Sequence, residues 1–268
     1  MNKDTLISII GLIIAVAIFL GLGLMKGDTF RGPKVSPLAQ EVLPLAGIPL
    51  IVKVGDLPAQ LEASGAIDAT KFKVAGVVTD PLVITKDNAH TLLNFFWALG
   101  LANKNEILTA GPMATEGETA NFASTGGWTL AVGEAMDHYA KHELIVLTAE
   151  QQKLVEEVSK NVYRPCCNNP THFPDCNHGM AMLGLLELGA SQGLGEKELY
   201  RLALIANSYW FSDTYLTIAE YLEQTGVDWA EVDPKELVGK DYSSGTGFAK
   251  IKAKVVRTER GLGTSCGV

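Results

Sequence analysis

The segment LTAEQQKLVEEVSKNVY, residues 147–163, is the clearest indication of a helical fold in this chain. Thr148 and Gln151 have the spacing of a capping box, in which each side chain bonds the backbone N–H of the other residue at a helix start. An apolar stripe follows at helical intervals, formed by Leu154, Val155 and Val158. Pro165 ends the pattern. The segment therefore predicts one well-defined helix that stops beside a cysteine-rich loop.

Helical patterns also lie on both sides of this segment. The other predicted helices are a short one that ends at Gly65, followed by residues 86–103, 128–141, 176–190, 196–211 and 213–225. Two β-branched runs, residues 48–58 and 72–85, are broken by glycine and proline and allow only short strands. The predicted fold class is mainly α, with an N-terminal transmembrane helix followed by a helical globular domain that has a few short strands.

The N-terminal region has the composition of a membrane anchor. Residues 5–25, TLISIIGLIIAVAIFLGLGLM, contain no charged side chain, and about 20 such residues span a bilayer as a helix. The apolar run is longer than that of a signal peptide, and no convincing cleavage site follows it. We therefore predict a single-pass signal anchor with residues 1–4 in the cytoplasm. The basic residues after the span favour a cytoplasmic domain, but a single N-terminal anchor usually holds its domain outside, so we expect an extracytoplasmic one.

Composition divides the remainder of the chain into three parts. Residues 26–49 are rich in proline and glycine and predict an extended linker. Residues 50–238 form the mainly helical domain that carries the cysteine-rich loop. In the tail, residues 239–268, basic residues alternate with apolar ones, which favours an edge strand or a mobile segment.

The charge balance argues against a nucleic-acid partner. The net charge is −8, and no nucleic-acid-binding motif accompanies the basic residues of the tail. The hydrophobic content of 47 % and the charged fraction of 19 % are typical of a folded protein rather than a disordered one. The expected partners are the lipid bilayer, through residues 5–25, and other membrane proteins.

The stretch YRPCCNNPTHFPDCNHGMAMLG, residues 163–184, contains three of the chain's four cysteines and two of its five histidines. Thiolate and neutral imidazole are the donors that zinc prefers, and thiolate also suits Cu(I). The stretch therefore predicts a zinc or copper site. Its candidate ligands are Cys166, Cys167, Cys176 and His178, with His172 in reserve.

The spacing of these residues leaves two alternatives open. Adjacent cysteines project in diverging directions, and the stretch lacks the C-x₂-C pair typical of zinc sites. Outside the cytoplasm, a disulfide from Cys166 or Cys167 to Cys176, with the remaining thiol bonded to Cys266, would make a stapled interaction or scaffold module of a membrane assembly. A thiol–disulfide enzyme centred on Cys176 is the second alternative, although C-x-x-C is missing.

Cys176 is the thiol that the local sequence singles out. If Asp175 caps the next helix, Cys176 and His178 occupy the first and third helical positions. A thiolate at a helix N-terminus is stabilised by the helix dipole and by free N–H groups. We therefore expect Cys176 to be the most reactive or most metal-ready thiol.

A second, weaker candidate site lies in GEAMDHYAKH, residues 133–142. Glu134, His138 and His142 are spaced four residues apart. On the predicted helix 128–141, continued by one residue, they would therefore lie on one face. Two imidazoles and a carboxylate can share one metal ion. The charged residues around them favour an exposed helix surface instead.

These patterns together predict a membrane-anchored extracytoplasmic protein that binds zinc or copper in a structural or metal-handling role. No general base is visible in the cysteine-rich stretch, so the sequence leaves open whether the protein is an enzyme.

Overall fold

The prediction of a mainly helical chain with a few short strands is confirmed for the part of the protein that the computed structural model describes, residues 36–74, 80–115 and 118–256. Its helices, numbered in chain order, are α1 (Pro37–Val42), α2 (Leu57–Ala63), α3 (Ala89–Ala102), α4 (Glu106–Thr109), α5 (Pro112–Thr115), α6 (Ala149–Ser159), α7 (Asn177–Ser191), α8 (Glu196–Trp210), α9 (Ser212–Gln224), α10 (Pro234–Leu237), α11 (Lys240–Ser243) and α12 (Gly245–Lys254). Single turns of 3₁₀ helix lie at Thr119–Asn121, Ala135–Asp137 and Trp229–Glu231. Two short antiparallel strands, β1 (Ile48–Pro49) and β2 (Val83–Ile84), pair Ile48 with Ile84.

Helices α3 and α7 form the centre of the core and pack against each other more extensively than any other described pair. Every residue of α7 from Gly179 to Ala190 is buried, as expected for a helix on which all of these residues except Glu187 are apolar. Helices α6 and α8 pack beside α7. Because α7 begins at the cysteine-rich loop, this core fixes one end of that loop.

The backbones of α3 and α7 touch where two glycines meet. A methyl group on Gly100 would lie 2.0 Å from the carbonyl oxygen of Met180, and one on Gly184 would lie 2.6 Å from the backbone nitrogen of Gly100. Backbone atoms at the centre of two packed helices have little room to move aside. The absence of side chains at these two positions therefore sets the distance between the central helices.

Gly100→Ala is expected to lower the free energy of unfolding by about 1–3 kcal/mol, the usual effect of overpacking a core. Alanine is the better helix former, so a loss of stability reports the steric conflict rather than helix propensity. The measurement is urea unfolding followed by circular dichroism. His90→Ala, at an exposed position of the same helix, is the control. A Gly100→Ala variant as stable as the wild type would contradict the close approach.

A buried carboxyl lies in the same core. Glu187 of α7 is fully buried, and its Oε2 accepts a 2.7 Å hydrogen bond from Nδ2 of Asn103, while its Oε1 has no hydrogen-bond partner among the described residues. Burial raises the pKa of Glu187 to about 8, and the hydrogen bond from Asn103 opposes this shift only in part. The side chain is therefore protonated in the folded protein at neutral pH.

The folded unit begins at Pro37, within the segment whose composition predicts a linker. Helix α1 packs against α9, and its last residue, Val42, is buried together with Leu43. Strand β1 also comes from this segment. The proline-containing residues 37–49 therefore form a short helix and a strand that cover the core.

The prediction of a helix over residues 128–141 is wrong. Only Ala135–Asp137 forms a helical turn, of the 3₁₀ type. Gly133 has a φ of 76° and Ala140 a φ of 52°, which are left-handed values that an α-helix excludes. The backbone N–H groups of Ala140 and His142 donate instead to two carbonyl groups at the end of α3. These hydrogen bonds give partners to carbonyl groups that the last turn of a helix leaves unpaired.

The tail forms the helices Lys240–Ser243 and Gly245–Lys254, where the alternating pattern predicts a strand. Ser244 begins α12 by accepting a hydrogen bond from the N–H of Gly247 through its side chain. Ile251 is buried where α12 packs against α9 and α11. The apolar residues whose alternation suggests a strand thus lie partly on the buried side and partly on the exposed side of a helix.

The predicted anchor at residues 5–25 lies outside the described residues, and so does Cys266. Within the described ranges, none of the helices has the length and apolar character needed to cross a bilayer.

Candidate metal centre

The candidate site is the loop between α6 and α7, residues 160–176. The loop folds back on itself, because the N–H of Thr171 donates a 2.8 Å hydrogen bond to the carbonyl of Val162. A second contact ties it to the tail, where the N–H of Gly245 donates at 2.7 Å to the carbonyl of Cys167. The first bond closes the loop on itself, and the second fixes the backbone of Cys167 to the start of α12.

The folded loop places its cysteines side by side. The Sγ atoms of Cys166 and Cys176 are 3.7 Å apart, and with His178 they form a group whose three donor atoms all lie within 4.8 Å of one another. Cys167, Asp175 and Cys176 form a second group with the same property. All three cysteines are free thiols. Because Cys176 belongs to both groups, the loop offers two adjoining positions for an ion.

The distance between the sulfurs of Cys166 and Cys176 fits a tetrahedral ion. Two thiolates that bind zinc at its usual bond length and angle lie about 3.8 Å apart. The observed separation is 3.7 Å, whereas a disulfide requires about 2 Å. The cluster of Cys166, Cys176 and His178 can therefore hold a metal ion with three protein ligands, which leaves the fourth tetrahedral position open.

Arg164 organises the loop, and its role was not predicted from the sequence. Its side chain is 2 % exposed and is surrounded by acceptors. Nε donates to the Sγ of Cys176 at 2.9 Å, and Nη1 donates to the carbonyl of Asn169 at 3.0 Å. Nη2 donates to the carbonyl of Phe173 at 2.9 Å and to the carboxylate of Asp175. One guanidinium thus holds four residues of the loop in place.

Gly179, in the first turn of α7, makes room for this guanidinium. A methyl group on Gly179 would lie 2.6 Å from Cζ of Arg164. The arginine therefore packs directly on the backbone of the helix start. This contact connects the geometry of the loop to that of the core.

The start of α7 differs by one residue from the predicted one. Asp175 does not cap the helix, because its carboxylate is bound to Arg164 and to the side-chain amide of Asn169. Cys176 takes the N-cap position instead, and His178 is the second helical residue. A thiolate at a helix N-terminus is still favoured by the helix dipole, so the expected environment of Cys176 is retained.

Cys176 is the natural thiolate of the cluster. Hydrogen bonds donated by Cys166 and Cys167 hold the pKa of the Cys176 thiol far below its usual range, and His178 and Arg164 act in the same direction, while burial opposes them. The pKa of Cys166 is raised, because its hydrogen bonds with Cys167 and Cys176 stabilise the protonated thiol. Of these two sulfurs, that of Cys176 is therefore the one whose surroundings favour the thiolate form.

His178 is held against the end of α8. Its ring centroid lies 4.3 Å from that of Phe211 and 6.2 Å from that of Trp210. These aromatic contacts limit the rotation of the imidazole. One ring nitrogen of His178 lies within 4.8 Å of the sulfurs of Cys166 and Cys176, so the imidazole can share an ion with them.

His172, the reserve ligand, lies away from the sulfurs. Its Nδ1 is 3.4 Å from Oγ of Ser159 at the end of α6, and its backbone N–H donates to the carbonyl of the same serine. Burial lowers its pKa. His172 belongs to neither donor group in the described part of the chain, so the structure gives it the role of fastening the loop to α6.

The second candidate site does not form the predicted arrangement. Glu134, His138 and His142 share no helix face, because the helix over residues 128–141 is absent. His138 and His142 do meet, with 3.1 Å between Nδ1 and Nε2. Among the residues that the structure describes, these three do not form a group of three converging donors.

The fold and the site together define an α-helical protein with a cysteine–histidine cluster that can hold a metal ion. No protein-family model matches the chain, and comparisons with curated proteins and with solved structures find no similar protein. The function of this protein is therefore argued from the geometry of the cluster.

Proposed function

We propose that this protein binds a transition metal ion, zinc or Cu(I), through Cys166, Cys176 and His178, and that its role is metal handling. The observation that carries the proposal is the 3.7 Å separation of two sulfurs with an imidazole in the same group. Two sulfurs and one nitrogen are the donors of zinc sites and are also accepted by copper.

An exchangeable ion fits the site better than a structural one. Zinc ions on which folding depends are enclosed by four protein ligands. Here Arg164 holds the loop through its hydrogen bonds, the group offers three protein ligands, and Cys166 is exposed. An incoming ligand can therefore reach the ion through its open coordination position and the exposed sulfur.

The proposal locates the site at a membrane surface. Residues 5–25 have the length and composition of a membrane span, and the prediction of an extracytoplasmic domain is retained. Membrane proteins that donate or accept the ion are then the natural partners. The net charge of −8 is compatible with attraction of cations to such a domain.

His178→Ala is expected to weaken zinc and Cu(I) binding by at least about tenfold, since even residues that only support a ligand are worth that much. His172→Ala is the matched control, because His172 comes from the same loop and lies outside the donor groups. Affinity is measured by competition with a chromophoric chelator, using the full chain under reducing conditions. Equal affinities of the two variants, or a wild type that retains free thiols and binds neither ion, would contradict the proposal.

Thiol–disulfide exchange at Cys176 is a second candidate, favoured by the same contact between Cys166 and Cys176. A thiolate beside a protonated thiol is the arrangement from which a disulfide forms once an oxidant is present. Counting free thiols in denatured protein, purified without reductant, separates the two functions. Metal handling predicts that Cys166 and Cys176 remain reduced, and thiol–disulfide exchange predicts that they are lost as a pair.

A further inference from the structure

The two donor groups of the loop meet at one atom, the Sγ of Cys176. One group adds the sulfur of Cys166 and the imidazole of His178, and the other adds the sulfur of Cys167 and a carboxylate oxygen of Asp175. In each group the three donor atoms lie within 4.8 Å of one another. A thiolate sulfur carries several lone pairs, so it can bind two metal ions at the same time. The loop thus has the donors for two ions joined by one sulfur.

We infer that the loop binds a second zinc ion through Cys167, Asp175 and Cys176, and that Cys176 bridges this ion to the first. The inference rests on the proposed function, since it needs the first ion at Cys166, Cys176 and His178. The second position offers two sulfurs and one carboxylate oxygen, all of which zinc accepts as ligands. Carboxylate does not suit Cu(I), so the second position favours zinc over copper.

Cys167 is held beside the second position by the start of α12. Its carbonyl accepts a 2.7 Å hydrogen bond from the N–H of Gly245, and the side chain of the next residue, Asn168, accepts a 2.9 Å bond from the N–H of Thr246. The Sγ of Cys167 lies 3.9 Å from the carbonyl oxygen of Asn169, a distance at which a thiol is bound only weakly. The backbone of Cys167 is therefore fixed, while its sulfur loses little when it turns to an ion.

The carboxylate of Asp175 is oriented by two donors and still has room for an ion. Its Oδ1 accepts a hydrogen bond from Nη2 of Arg164, and its Oδ2 accepts a 2.9 Å bond from Nδ2 of Asn169. A carboxylate offers about four acceptor positions, so each oxygen keeps one when these bonds are made. Carboxylates that bind metals are themselves hydrogen-bonded, because such partners orient the ligand. Arg164 and Asn169 therefore hold Asp175 in place without using all of its acceptor positions.

The loop supplies the negative charge that a second dication needs. The three thiolates and the carboxylate of Asp175 together carry four negative charges, against five positive charges on two zinc ions and the guanidinium of Arg164. The excess of one positive charge lies beside the exposed Cys166, where hydroxide or another small anion can take an open coordination position. The two ions are therefore almost fully compensated by the loop itself.

The experiment counts zinc ions in the full reduced chain. Native mass spectrometry and titration against a chromophoric chelator should find two ions per wild-type chain. Cys167→Ser is expected to leave one ion and to weaken the second binding step by at least about tenfold, since even support of a ligand is worth that much. Asp175→Asn keeps an oxygen for Arg164 but removes the charge, so it should weaken the same step. Cys266→Ser, which removes the cysteine outside the loop, is the matched control and should retain both ions.

The bridging sulfur is tested with cobalt(II), which replaces zinc in tetrahedral sites and is paramagnetic. Two cobalt ions joined by one sulfur couple magnetically and lose electron paramagnetic resonance intensity. The signal should therefore grow with the first equivalent of cobalt and fall with the second. In Cys167→Ser the second equivalent should cause no fall, because the second position has lost a ligand.

Several results would overturn the inference. A wild type that binds one zinc ion, lost in His178→Ala and kept in Cys167→Ser, leaves the proposed function standing without a second position, and so does a wild type that binds Cu(I) but no zinc. One ion kept in His178→Ala and lost in Cys167→Ser rejects both the inference and the proposed ligands. Two ions retained by Cys167→Ser, or two cobalt ions that do not couple, refute the second ligand set or the bridge. Circular dichroism checks the fold of each variant.

Discussion

Replacing Arg164 with methionine is expected to destabilise the fold by at least about 3 kcal/mol and to abolish the metal site, because it removes one partner of a buried charge pair. Methionine fills much of the space of the arginine stem but donates no hydrogen bond. The carboxylate of Asp175 and the thiolate of Cys176 would lose their cation, and the carbonyls of Asn169 and Phe173 would lose their donors. Unsatisfied buried groups of this kind are the most damaging result of a core substitution.

The measurement pairs urea unfolding with a zinc titration. Arg201→Met, on the exposed surface of α8, is the matched control and should change neither quantity. Arg164→Lys keeps the charge and loses the planar fork, so we expect it to recover part of the stability and little of the affinity. An Arg164→Met protein with wild-type stability and wild-type zinc affinity would show that the guanidinium does not organise the loop.

Glu187→Gln is expected to stabilise the protein by about 3 kcal/mol at neutral pH and by little at pH 4. The pKa of Glu187 rises from its ordinary value of 4.5 to about 8 in the fold. Below pH 4.5 the carboxyl is protonated in both the folded and the unfolded state, so ionisation of Glu187 does not lower the stability of the protein. Between 4.5 and about 8 only the unfolded chain ionises, so stability falls by about 1.4 kcal/mol for each pH unit. The side-chain amide of glutamine does not ionise, so Glu187→Gln removes this loss of stability.

The test of this prediction is the pH dependence of unfolding. Free energies of unfolding from urea titrations between pH 4 and pH 9 should decline less steeply for Glu187→Gln than for the wild type. Glu223→Gln, at an exposed position of α9, should leave the wild-type slope unchanged. Parallel curves for the wild type and Glu187→Gln would mean that the buried carboxyl is already ionised or is reached by water.

The helices that the sequence predicts well are those with both a cap and a stripe. Thr148 and Gln151 form the predicted capping box of α6, with hydrogen bonds in both directions. Residues 128–141 show how a similar pattern fails. The backbone N–H groups of Ala140 and His142 bond the end of α3, a partner distant in the sequence, and this tertiary contact overrides local propensity.

The donor residues of the site are predictable, but their arrangement is not. Their density in residues 163–184 points to metal chemistry, because few other structures need so many soft side chains together. The sequence gives no comparable signal for Arg164, since a single arginine before two cysteines has many other uses. The role of Arg164 is evident only from its contact with Gly179, and that contact depends on where α7 begins. Loop geometry of this kind lies beyond periodicity and spacing.

The guanidinium of Arg164 has a kinetic consequence. Because its hydrogen bonds hold the loop from Asn169 to Cys176, less ordering of the donors is left to an ion that binds as proposed. Uptake and release can then proceed by replacing one ligand at a time, beginning at the exposed sulfur of Cys166, while the helices stay folded. Under the proposed function, the residence time of the ion would be set by ligand exchange at that sulfur and not by the unfolding rate of the domain.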